Sequence, residues 1–165
     1  MDKNIYDEII IAAVKKWLPE DYDWRLFKAQ LFQESSLNQF AVSPAGAVGL
    51  AQIMPATWAQ WSVRAGHKGE SPTDAKASIE TGACYLGMLI EKWHWPRPSI
   101  DRHCLALASY NAGFSNILKA QKIAGGVSGY KEIIGSLCQV TSPKNCHETM
   151  NYSRSIFNHY LSDVM

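Results

Sequence analysis

Glu34 is the residue in this chain whose type and setting most suggest chemistry. It lies near the C-terminal end of an apolar stretch, and a loop with Pro44, Gly46 and Gly49 follows before a polar Gln52. A carboxyl group with apolar neighbours has a raised pKa, because desolvation disfavours the charged form. A glutamic acid still protonated near neutral pH is what a general acid requires. By residue type alone, a solvated helix-end glutamate is the commoner situation, so the residues leave both readings open. The cysteines, at 84, 104, 138 and 146, form no CxxC pair, and HExxH is absent. Cys146-His147 lacks metal-ligand spacing, so no metal and no cofactor are expected. His103 and Cys104 are neighbours on a helical stretch and point about 100° apart, a poor arrangement for a nucleophile and its base. Cys84 and Cys104 read as small core residues. Cys138 and Cys146 flank a loop containing Pro143 and are able to pair in an oxidising compartment.

The elements that must position these residues read as helices. Tyr6, Ile9, Ile10, Ala13 and Trp17 recur at three- and four-residue steps and predict an amphipathic helix ending near Pro19. Asp23 is a candidate N-cap for a helix carrying Leu26, Phe27, Gln30, Leu31 and Glu34. Asn38 to Gly49 reads as a loop, and Pro55 or Ala56 opens a third helix. Asp74 caps a long helix with Ile79, Ala83, Leu86, Leu89, Ile90 and Trp93 on one stripe. Pro96 and Pro98 break it. A helix restarts at Ser99 or Asp101 and ends at Gly113, the next begins at Phe114, and Gly125-Gly126 is a turn. The last helix is expected from about Glu148, with Tyr152, Ile156, Tyr160 and Leu161 on one face. Trp17, Trp24 and Trp93 are expected in the core, as aromatics on helical stripes usually are. No alternating run is long enough to predict a strand.

Composition bounds the function. The chain has 165 residues, 47% hydrophobic and 19% charged. It reads as one globular domain, 1–165, large enough for a core of its own. The formal net charge is +1. That argues against nucleic-acid binding by phosphate neutralisation and against anionic lipid as a partner. The apolar run Ile9 to Val14 is far short of a membrane span of about 20 residues. With Asp7 and Glu8 beside it, it does not look like a signal peptide either.

Three blocks of the sequence resemble the soluble lytic transglycosylases. Glu34-Ser35 and Ala41-Val42-Ser43-Pro44-Ala45-Gly46-Ala47-Val48-Gly49-Leu50-Ala51-Gln52-Ile53-Met54-Pro55-Ala56-Thr57 match that family's Glu-Ser and Ala-x-Ser-x-x-Gly-Ala-x-Gly-Leu-Met-Gln-x-Met-Pro-x-Thr. Ser109-Tyr110-Asn111-Ala112-Gly113 resembles Ala-Tyr-Asn-Ala-Gly, and Glu148-Thr149 with Tyr152 resembles Glu-Thr-x-x-Tyr. Ile79 to Leu86 is similar to the intervening helix. The chain departs from the pattern at Ala51, where the family usually has Met, at Ser109, where it usually has Ala, and at Gln39-Phe40, which lacks a proline. Loss of bulk at Ala51 is expected to alter the cleft, and the extra hydroxyl of Ser109 to change little.

The resemblance implies a mainly α, lysozyme-like single domain acting on peptidoglycan glycan strands. It implies Glu34 as catalytic acid and then base, with Ser43, Gln52 and Met54 lining the sugar cleft. Tyr110, Asn111, Glu148 and Tyr152 are then further substrate-binding residues. Ordinary glycoside hydrolysis uses two carboxylates. A transglycosylase needs one, because the substrate's acetamido group and its own C6 hydroxyl take the other roles. Two other functions compete: a goose-type muramidase that uses water, and an inactive cell-wall-binding or structural module. Mass analysis of the released muropeptides separates the first, and a Glu34→Gln variant the second. As written, the chain reads as a monomer made in the cytoplasm that acts on the wall after release, delivery or specialised secretion. Its compactness favours a phage lysin.

Overall fold

The computed structural model describes residues 4–94 and 96–162. Local chemistry explains most helix ends. α1 (Asp7–Trp17) carries Asp7 and Glu8 in its first turn and Lys15 and Lys16 in its last, the signs that complement the helix dipole. α2 (Trp24–Ser35) is capped by Asp23, whose carboxylate accepts from the Arg25 N–H at 3.0 Å. α3 (Pro55–Ala65) has proline at its start and ends at left-handed Gly66, φ 95°. α4 (Ala75–Lys92) is capped by Asp74, which accepts from the Ala77 N–H at 2.9 Å. α5 (Ser99–Ala112) ends at Gly113 and α6 (Phe114–Ile123) follows at once. The mainly α expectation holds: among the described residues the extended backbone amounts to two isolated bridges, Val42 with Val48 and Val48 with Ile53.

The chain forms two compact units. The first comprises residues 4–87 and 156–162. Its core holds Ile10, Phe27, Leu31, Leu50, Ile79 and Leu86, all fully buried. α1 and α4 approach closely at Gly87, where a Cβ would run into the Trp17 carbonyl. Lys28 is buried as well, and its ammonium pairs with Asp7 Oδ1 at 2.6 Å and donates to Asn4 Oδ1 at 3.0 Å. Trp17 and Trp24 are only half-buried, contrary to expectation. Each keeps a face for a lysine: Lys16 Nζ lies 4.9 Å from the Trp17 ring and Lys28 Nζ 5.6 Å from the Trp24 ring.

The second unit comprises residues 88–155. It packs α5, α6 and α7 (Tyr130–Gly135) around Leu105, Leu107, Ile117, Ile133 and Leu137. Trp93 is buried here, edge-on to Phe114 with ring centroids 5.4 Å apart. Its indole N–H donates to Ser109 Oγ at 2.9 Å. The serine hydroxyl that replaces the usual alanine thus satisfies a buried donor that otherwise has to find another acceptor.

Two features of this unit differ from the sequence reading. α7 and the 3-10 turn Leu137–Gln139 were not expected. α8 (Pro143–Leu161) starts at Pro143, not near Glu148. Ser142 accepts from the Asn145 N–H at 3.3 Å, so Ser142-Pro143 is a cap followed by a first-turn proline rather than a loop. Cys138 and Cys146 are joined as a disulfide, with Cα atoms 5.0 Å apart, tying the 3-10 turn to the first turn of α8. Cys84 and Cys104 are free and buried.

Candidate functional site

The proposed acid and its loop lie in the first unit. Glu34 is the last residue but one of α2 and is half-buried. The helix stops behind it because Ser36 and Leu37 both adopt left-handed backbone, φ 52° and 58°. Buried Ser35 anchors the turn through its hydroxyl, which donates to Leu50 O at 2.9 Å.

The loop after Leu37 folds into a small antiparallel platform. Ser43 N–H donates to Ala47 O at 2.9 Å and Gly49 N–H donates to Ala41 O at 3.0 Å, flanking the Val42–Val48 pair. Val48 N–H then donates to Ile53 O at 3.3 Å. Gly49 is required at its position: φ is 85°, and a Cβ would collide with the Pro72 carbonyl oxygen.

Of the residues expected to line a sugar cleft, Gln52 has the most unusual backbone, φ 46°. A non-glycine residue pays for this conformation with local strain. Its Nε2 donates to Ala41 O at 3.1 Å and to Gly49 O at 2.9 Å, so the amide nitrogen pins the loop. Ser43 Oγ accepts from the Ala47 N–H at 3.0 Å and braces the same loop. Met54 precedes α3 and is 44% exposed. Ala51 is fully buried and its N–H donates to Ser78 Oγ at 3.2 Å. The missing methionine bulk is therefore a change in the core, not at a cleft surface.

Tyr110, Asn111, Glu148 and Tyr152 lie in the second unit. Tyr110 and Asn111 occupy the last turn of α5, half-buried. Glu148 is exposed, whereas Tyr152 is 5% exposed. Asn111 Nδ2 donates to Glu148 Oε1 at 3.4 Å, and Thr149 Oγ1 donates to Asn111 Oδ1 at 2.6 Å. Thr149 is buried and was not among the expected site residues. Its place in the Glu-Thr-x-x-Tyr block was the available signal. Among the described residues, no group of three or more His, Cys, Asp or Glu side chains is placed to hold a metal ion.

The family model described as the transglycosylase SLT domain matches residues 11–133. The chain belongs to this family. The SLT match takes in Glu34, Ser43, Gln52, Met54, Tyr110 and Asn111 and stops short of Glu148 and Tyr152. Over 135 residues this SLT chain is 34% identical to the membrane-bound lytic murein transglycosylase F of Mannheimia succiniciproducens, an alignment covering 78% of this chain and 27% of that protein. The Yersinia enterocolitica protein of the same name is 35% identical over 109 residues, covering 66% of this chain and 21% of that protein. Among solved structures, the 70 kDa soluble lytic transglycosylase of Escherichia coli superposes with a TM-score of 0.71 at 21% identity, covering 96% of this chain and 24% of that one. The lytic transglycosylase Slt of Pseudomonas aeruginosa superposes with a TM-score of 0.73 at 21% identity and the same coverage. The fold expected from the sequence is the fold of these neighbours. The chain spans about a quarter of the length of the relatives it matches.

Proposed function

We propose that this SLT domain is a peptidoglycan lytic transglycosylase, cleaving the β-1,4 bond between N-acetylmuramic acid and N-acetylglucosamine without water. The observation that carries this reading is the placement of Glu34: a half-buried carboxyl at the end of α2, in a chain whose family match covers it and the loop behind it. Protonated Glu34 gives its proton to the glycosidic oxygen as the C1–O bond breaks. The substrate's acetamido group stabilises the cationic C1. The resulting carboxylate takes the proton of the muramic C6 hydroxyl while that oxygen bonds to C1, leaving a 1,6-anhydro end and restoring the acid. An internal hydroxyl held near C1 has a large entropic advantage over water.

In this proposal residues 1–165 act as one catalytic domain and as a monomer. Ser43, Gln52, Met54, Tyr110, Asn111, Glu148 and Tyr152 contact the glycan, and no metal or cofactor takes part. Deployment is that of a phage-type lysin, made inside the cell and reaching the wall once the membrane is breached. The deciding experiment is the mass profile of muropeptides released from purified sacculi. Anhydro products, lighter by one water than reducing-end products, are expected from the wild type and not from Glu34→Gln. Reducing ends without the anhydro form overturn the reading.

A further inference from the structure

Gln30 sits one turn before Glu34 on α2, and its amide is out of place there. The residue is 1% exposed, among fully buried Phe27, Ala29 and Leu31. Among the described residues neither its Nε2 nor its Oε1 makes a hydrogen bond. A buried amide left without partners is among the more costly defects a core carries. The other buried polar side chains of α2 are satisfied, Lys28 by Asp7 and Asn4 and Ser35 by Leu50 O. Thr81 Oγ1 on α4 is also buried without a partner, but a helix hydroxyl reaches the carbonyl one turn back by rotating about χ1. The longer Gln30 side chain has no such remedy.

Residues four apart on a helix share a face, and helical side chains lean towards the N-terminus. The Glu34 side chain therefore reaches back over the turn that Gln30 occupies. Both lean the same way, so their ends stay about one turn apart, about 5.4 Å. That is too far for a direct bond. It is the span of two bonds of about 2.8 Å with one water between them. Gln30 is buried and Glu34 half-buried, so a water in this place lies on the inner side of the acid.

We propose that Gln30 is a positioning residue for Glu34, acting through one buried water that accepts from Gln30 Nε2 and donates to the inner carboxyl oxygen of Glu34. This rests on the proposed function for the role of Glu34. With a donor already on the inner oxygen, the proton of the acid form is kept on the outer one, where it serves the glycosidic bond. The bond from the water strengthens when that proton leaves, because a carboxylate accepts more strongly than the acid does. An interaction that is stronger after proton transfer than before lowers the barrier of the bond-breaking step and leaves glycan binding unchanged. Glutamine suits the task because its amide supplies a donor without placing a second charge beside the acid.

A Gln30→Met variant keeps the length and the apolar stem of the side chain and removes the amide. Were Gln30 only a packing residue, the variant would lose an unsatisfied group: stability would hold or rise and turnover would stay the same. As a positioning residue it is expected to lose about tenfold in kcat, the worth of one hydrogen bond to a charged group, with KM within about twofold of the wild type. An unchanged kcat, or a loss that falls in KM instead, overturns the proposal. NMR of the wild-type protein gives a second measurement that does not depend on that variant. The Gln30 side-chain amide protons are expected to show cross-relaxation with a long-lived bound water, and the signal is expected to vanish in Glu34→Leu, where the water loses its acceptor. Its absence in the wild type, or its persistence in Glu34→Leu, overturns the proposal. Product type is scored separately, with kcat counting every glycosidic bond cleaved. Reducing ends in place of anhydro ends sink the proposed reaction and leave the Gln30 effect standing.

Discussion

Thr149 Oγ1 lies 2.6 Å from Asn111 Oδ1 and 2.9 Å from Asn145 O, two acceptors for its one proton, while the Glu148 carboxylate, which only accepts, selects the other end of the Asn111 amide. Nδ2 is the end that faces Glu148 Oε1 at 3.4 Å. A buried threonine and an exposed glutamate on α8 together orient a proposed substrate-binding group on α5.

Replacing Thr149 by valine keeps the shape and removes the hydroxyl. Stability is expected to fall by about 1 kcal/mol, the ordinary net value of one hydrogen bond. Release of anhydro-muropeptides should fall more than that figure suggests, through a raised KM, because the amide is then held by Glu148 alone. Thr149→Ser should restore most of both. Unfolding curves alongside turnover assays check the split.

Gly49 and Gly46 share the left-handed region, φ 85° and 87°, but only Gly49 has a neighbour in the way. Alanine at 46 is expected to cost about 1 kcal/mol, the backbone penalty alone. Alanine at 49 must also displace the Pro72 carbonyl, and should cost about 3 kcal/mol or more. Urea midpoints for the two variants measure the difference.

The Cys138–Cys146 disulfide closes a short loop, its cysteines eight positions apart, and Cys138 is exposed to reductant. Closing so small a loop stabilises by about 2 kcal/mol in the chain-entropy account. Reduction, or the Cys138→Ser/Cys146→Ser double variant, should lower the free energy of unfolding by that amount, read from urea unfolding curves. Because the bond holds the first turn of α8, the loss of Asn111–Glu148 order should show as a lowered turnover even below the unfolding transition.

Burial holds the His103 imidazole well below the ordinary histidine range, down to about 4. The folded state therefore favours the neutral ring, and the unfolded chain binds the proton more readily. Stability from this residue is complete above about pH 6.5 and is lost as pH falls towards about 4. The full loss is about 3 kcal/mol at 1.36 kcal/mol per pKa unit. A His103→Gln variant should show a flatter stability profile between those limits in urea titrations at stepped pH.

Features set by residues close in sequence were the legible ones. Asp23, Pro55, Asp74 and Gly113 mark helix ends through bonds spanning at most four residues, and each end falls where its capping chemistry predicts. α7 was illegible because six residues show too little periodicity; Ile133 and Ile134 are helical on account of what they pack against. Ser142-Pro143 carries helix-start chemistry that a loop reading hides. In the candidate site, Glu34 and its glycine loop were found by pattern. The strained backbone of Gln52 and the hold of Thr149 on Asn111 were not, since both arise from bonds between segments that the sequence does not pair.

Lys28 bears on where this protein can be divided. Its buried ammonium belongs to α2, yet Asp7, which neutralises it, and Asn4, which accepts a hydrogen bond from it, come from α1 and the turn before it. A shortened version beginning at α2 keeps every side chain assigned to the reaction but removes the partners of the Lys28 ammonium together with the apolar cover of Ile10, Ala13 and Val14. The smallest portable version of the domain, whether grafted onto another scaffold or trimmed by a protease, therefore has to retain Asn4 and Asp7.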